Sequence, residues 1–96
     1  MANLITVNPI TCDTTGVLVT GPGLLKSVQF TNTGVANDFT LILVDGADTA
    51  DTTRKLVQLE ITTGRHTIVF CPCSPIPFHK NLVCSTIDGG EALIQV

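Results

Sequence analysis

The chain contains no tryptophan and no tyrosine, only four phenylalanines, and charged residues make up just 14% of its 96 positions. Without Trp or Tyr it has no ready platform on which nucleobases stack. Its five basic residues, Lys26, Arg54, Lys55, Arg65 and Lys80, are scattered and outnumbered by eight acidic ones, for a net charge of −3. Binding a phosphate backbone needs clustered positive charge, so nucleic acid is not an expected partner. No stretch approaches the ~18 consecutive apolar residues of a membrane-spanning helix. Met1 to Val7 has no basic segment leading into a long apolar one, so neither a membrane nor an export signal is expected, and folding in a reducing cytoplasm is the default. A helical period is missing as well.

What the chain does have is aliphatic bulk. Hydrophobic residues account for 44% of it, mostly Val, Leu and Ile, and its mean hydropathy is +0.43. That composition excludes disorder. The length suits one domain over residues 1–96. A domain this small has a modest core, so apolar side chains are left on its surface, and contiguous patches of that kind mark contact surfaces. Self-association or docking on a larger assembly is the expectation.

Apolar alternation with a period of two recurs between Gly, Pro, Asn and Asp punctuation. Segments 4–7, 16–20, 24–33, 39–44, 56–61, 66–71, 82–87 and 92–96 read as strands, about eight in all. In 24–33, Leu24, Val28 and Phe30 share a face that Lys26 interrupts. In 39–44, Phe39, Leu41 and Leu43 point inward, while Ile42 and Val44 on the other face also call for cover. Val57, Leu59 and Ile61 oppose Gln58 and Glu60. Asp88-Gly89-Gly90 signals a hairpin. Many short strands at even spacing predict an all-β fold: a single small antiparallel β-sandwich, jelly-roll-like, with a closed barrel as the alternative.

Few residues invite chemistry. Cys71-Pro72-Cys73, with Cys12 and Cys84, lacks the paired C-x2-4-C hooks of a zinc site. Cys71 is in phase with Val69, so all four cysteines read as buried thiols; Cys71–Cys84 or Cys73–Cys84 disulfides need an oxidising medium. His66 and His79 have no nucleophile motif beside them. Asp45, Asp48 and Asp51 form D-x-x-D-x-x-D, a spacing unlike a calcium-binding EF-hand and explained by turn chemistry and solvation. No enzyme activity and no cofactor are expected. The expected contact residues are Ile42 and Val44, with Ile76 and Phe78 on a loop, Cys71 to Phe78, stiffened by three prolines.

The run Gly23-Leu24-Leu25-Lys26-Ser27-Val28-Gln29-Phe30-Thr31-Asn32-Thr33-Gly34, then Phe39-Thr40-Leu41-Ile42-Leu43-Val44-Asp45-Gly46, has a distinctive order of strand, turn, strand and Asp-Gly. With Gly64 and the late Asn81-Leu82-Val83-Cys84-Ser85 strand, it resembles small β-sandwich virion proteins of tailed bacteriophages, including capsid decoration (cement) and tail-associated proteins. The four cysteines and the proline-rich 71–78 segment depart from that group. The resemblance implies a structural protein of the virion, made in the host cytoplasm. As a decoration protein it would sit on the head, often as a homotrimer, and bridge subunits of the major capsid protein. A tail, neck or fibre part is the alternative, as is a carbohydrate- or receptor-binding module. For such a module only Phe30, Phe39, Phe70 and Phe78 are available as platforms.

Overall fold

Ten strands build the protein in a computed structural model that describes residues 9–32, 39–61 and 67–96, with no helix among them. They are β1 (Pro9–Cys12), β2 (Gly16–Thr20), β3 (Gly23–Leu25), β4 (Ser27–Asn32), β5 (Phe39–Asp45), β6 (Lys55–Ile61), β7 (Thr67–Phe70), β8 (Ile76–Phe78), β9 (Asn81–Asp88) and β10 (Gly90–Gln95). Eight of them form two four-stranded antiparallel sheets, ordered β1-β10-β4-β7 and β2-β9-β5-β6. Numbered without the short β3 and β8, these orders become 1-8-3-6 and 2-7-4-5, the strand order of a jelly roll. The all-β sandwich expected from the sequence is the observed fold.

Period-two alternation explains the core. In the first sheet, Ile10, Ile94, Val28 and Phe70 line up across four strands, and Cys12, Ala92, Phe30 and Ile68 make the next inward row. In the second, Phe39, Leu41 and Leu43 of β5 face Ile61, Leu59 and Val57 of β6, as their alternation predicts. The two inner faces close on each other around Val28, Phe30, Phe39, Leu41, Leu43 and Ile94, all at most 1% exposed. Burying one such aliphatic or aromatic side chain contributes about 1.5–3 kcal/mol.

Bulges correct the phase where the sequence breaks it. On β9, Leu82 and Cys84 face inward and so does Ile87, an odd spacing that strict alternation forbids. The pairing jumps from Ile42↔Thr86 to Leu43↔Cys84, leaving Ser85 as the extra residue. Its hydroxyl donates to the Ile42 carbonyl at 3.4 Å.

Several sequence-based expectations are corrected. The 24–33 strand is two strands, because Lys26 leaves the ladder and its N–H donates to the Gln95 carbonyl. The phase therefore slips by one: Leu25, not Leu24, is buried beside Val28 and Phe30. Gly89 joins β9 to β10, but these strands belong to different sheets, so the turn crosses the sandwich and is not a hairpin. Segment 76–78 is no free loop. It is β8, paired with β3 in a small two-stranded sheet that buries Phe78 and Leu25. The 4–7 strand and the Thr63-Gly64 turn lie outside the described residues.

Candidate functional site

The outer face of the β1-β10-β4-β7 sheet carries two of the four exposed large apolar side chains among the described residues, Val69 and Leu93. Its middle row is Thr11, Leu93, Gln29 and Val69. Val69 is 64% exposed and Leu93 40%. One flanking row holds Pro9, Gln95 and Ser27, and the other Glu91, Thr31 and Thr67; Glu91 is the single charged residue in the three rows. Polar groups there satisfy each other across strands. Ser27 Oγ donates to Gln95 Oε1 at 2.8 Å, and the Thr31 and Thr67 hydroxyls pair at 3.2 Å. Two shallow depressions flank Leu93. One, of about 200 Å³, runs over Thr11, Thr31 and Glu91; the other, of about 280 Å³, over Val69, Cys71 and Gln95; Gln29 borders both. Such a face suits shape-matched, weakly polar contact.

The opposite sheet differs. Its edge strand β6 carries a polar ladder in which Lys55 Nζ donates to Gln58 Oε1 at 2.7 Å and Gln58 Nε2 to Glu60 Oε1 at 2.9 Å. Charged edges of this sort resist pairing with foreign strands.

At one end of the sandwich a buried carboxylate ties three segments together. Asp45, 5% exposed, accepts hydrogen bonds from the backbone N–H of His79 and of Lys80, both at 2.8 Å, and from Arg54 Nη1 at 3.1 Å. Burial pushes its pKa up, but the two N–H donors and the Arg54 charge outweigh that and hold it below the ordinary carboxylate value. Arg54 also donates to the Pro77 carbonyl at 3.3 Å, on β8. Asp51 accepts from the Thr53 hydroxyl, the Ala47 N–H and Lys80 Nζ, which together keep its pKa well below normal. Asp48 Oδ1 accepts from the Ala50 and Asp51 N–H groups. All three carboxylates of the D-x-x-D-x-x-D loop thus serve protein donors. Asn81 completes the knot: its Oδ1 accepts from the Gly21 N–H and its Nδ2 donates to the Ala47 carbonyl.

The cysteines divide into two pairs. Cys12 and Cys84 are buried, whereas Cys71 and Cys73 are exposed. The sequence predicts burial of all four, and the structure corrects this for Cys71 and Cys73. Cys71 is in phase with Val69, but that face is the solvent face, since Ile68 and Phe70 point inward. Cys84 therefore lies in the core, whereas Cys71 and Cys73, its possible disulfide partners by sequence, lie in solvent.

The four expected contact residues fare unequally. Val44 and Phe78 are 0% and 1% exposed, covered by the chain itself, and offer no surface. Ile42 is half-buried, and Ile76 is half-buried against the core. Val17 and Leu24 are exposed elsewhere, and Val69 and Leu93, which sequence reading missed, are the exposed apolar pair of the β1-β10-β4-β7 face. Their signal was ambiguous, because Ile68-Val69-Phe70 and Leu93-Ile94 present apolar residues to both faces. Phe30, Phe39 and Phe78 are buried and Phe70 is half-buried, so no phenylalanine is free as a sugar-stacking platform. His79 is exposed and engages Asp45 through its backbone, and His66 lies outside the described residues. Among the described residues, no three His, Cys, Asp or Glu side chains gather as a metal site would require.

The described residues form a small jelly-roll sandwich with an open sheet face whose three rows hold one charged side chain. No family model, no curated protein and no solved structure matches the chain.

Proposed function

We propose that the protein is a structural, non-enzymatic subunit that works by docking the outer face of its β1-β10-β4-β7 sheet onto a partner. The observation that carries this reading is the exposure of Val69 and Leu93 at the centre of a face whose three described rows hold one charged residue, Glu91. Covering ~800 Å² per partner makes a standard interface, and its apolar part contributes about 25 cal/mol per Å² before association entropy is subtracted. In its specific form, the subunit is a capsid decoration protein of a tailed phage, assembling with itself as a trimer and with the major capsid protein. The jelly-roll strand order supports this by analogy, since viral capsid domains use it, though lectins and cupins do too. The sequence resemblance supports it separately.

Light scattering on the purified chain at high concentration tests self-association, with a mass of three chains expected. Mass spectrometry of purified phage particles tests location. Hundreds of copies per particle point to the head, and about a dozen to tail or neck. A monodisperse monomer together with absence from particles overturns the proposal.

A further inference from the structure

Cys12 and Cys84 belong to different sheets, yet both point into the sandwich. Cys12 shares the inward row of Ala92 and Phe30, and Cys84 pairs with Leu43 and Gly16. The chain path brings them together. Cys12 ends β1, three residues turn the corner, and Gly16 opens β2 directly beside Cys84. Both side chains belong to the same buried cluster, and each thiol is the main influence on the other's pKa. Each also has a carbonyl acceptor two residues downstream: Thr14 O lies 3.2 Å from Cys12 Sγ, and Thr86 O 3.5 Å from Cys84 Sγ.

We propose that Cys12 and Cys84 form a preorganised inter-sheet disulfide site, open as two thiols in a reducing medium and closed as a cross-link in an oxidising one. The electron acceptor is a small-molecule disulfide such as oxidised glutathione. One cysteine thiolate attacks its S–S bond, forms a mixed disulfide and expels one glutathione thiolate. The other cysteine thiolate attacks the protein sulfur of that mixed disulfide, makes the Cys12–Cys84 bond and expels the second glutathione thiolate. The pair loses two protons and two electrons, and the oxidant becomes two thiols. Cys12 is the natural attacker. It sits at the end of a four-residue edge strand held by β10 alone, the kind of element that opens locally. Contact with Cys84 also holds the Cys12 thiol below its ordinary pKa, while the same contact raises that of Cys84. Closing the bond releases the Thr14 and Thr86 carbonyls, both outside the fully buried interior, where water replaces the lost donors. This inference does not depend on what the outer sheet face binds.

The test uses the full chain carrying Cys71→Ser and Cys73→Ser, exposed positions whose change leaves the core intact. It is unfolded, then refolded in a mixture of reduced and oxidised glutathione. The intact mass should fall by two hydrogen atoms, and peptide mapping should join the Cys12 and Cys84 peptides. Tm should rise by at least about 10 °C and return on reduction, because the bond closes a long loop. Adding Cys12→Ser must abolish that redox-dependent shift. An unchanged mass with both cysteines alkylated after denaturation, or separate glutathione adducts on the two, overturns the proposal.

Discussion

Gly23 faces Phe78 across the β3–β8 pair so closely that a Cβ at position 23 would stand 2.7 Å from the ring's Cζ. The glycine is therefore the counterpart of the aromatic: the small sheet closes the end of the sandwich because one side chain is missing. Gly23→Val should cost about 1–3 kcal/mol, the usual range for overpacking. Urea titration followed by circular dichroism measures it. An unchanged midpoint would mean that the ring is not packed against this glycine.

Asp45 predicts an acid-sensitive end of the molecule. Its folded-state pKa is depressed, so its contribution is complete above the unfolded value near 4 and is lost as pH falls through the folded value. Melting temperature should hold between pH 7 and 5 and drop below about pH 4. Asp45→Asn should lower Tm at neutral pH, by an amount equivalent to about 2–3 kcal/mol, and flatten that acid drop. A parallel pH profile in the variant would show that other carboxylates carry the acid response.

The open sheet face predicts separable effects on assembly and fold. Val69→Glu with Leu93→Glu should abolish self-association or particle binding while changing stability by less than about 1 kcal/mol, since both sites are exposed. Ile42→Asp, at a half-buried site on the central strand β5, should instead cost about 1–3 kcal/mol of fold stability. Sedimentation velocity and thermal melts on the two variants separate these outcomes. Association that survives the double substitution moves the contact to another face.

Thiol chemistry predicts a graded pattern. In the reduced native protein Cys71 and Cys73 should react with a thiol-titrating reagent at once, Cys12 slowly as the β1 edge opens, and Cys84 only on unfolding. Four fast thiols would mean that the β1 edge does not hold Cys12 inside.

Legibility in the sequence followed the strength of the period-two signal. Strands β5 and β6 could be read with the correct inward faces because large aliphatics alternate there with polar residues or lie beside a second buried face. Strand β1 and β8 escaped notice. Pro9-Ile-Thr-Cys is short, and Ile76-Pro77-Phe78 carries a proline, tolerated because its strand lies in a two-stranded edge. The open face was hidden for a different reason. Alternation shows which residues share a side, but β7 and β10 have apolar residues on both sides, and only the sandwich decides which side is inner. The Asp45 clasp joins positions 45, 54, 79 and 80, contacts that local pattern cannot reveal.

The strand order also sets a timetable. Strand β10 lies between β1 and β4, so until residues 90–95 leave the ribosome β1 has no neighbour and the first sheet has a gap at its centre. The β5–β6 pair, close in sequence, can form early, and β9 can then add to β5. The first sheet cannot. The inner face of the first sheet stays incomplete during synthesis, and closure waits for β10 to slot between two strands that are already made. A nascent chain stalled before residue 90 should therefore be protease-sensitive along β1 and β4, however well β5 and β6 are protected.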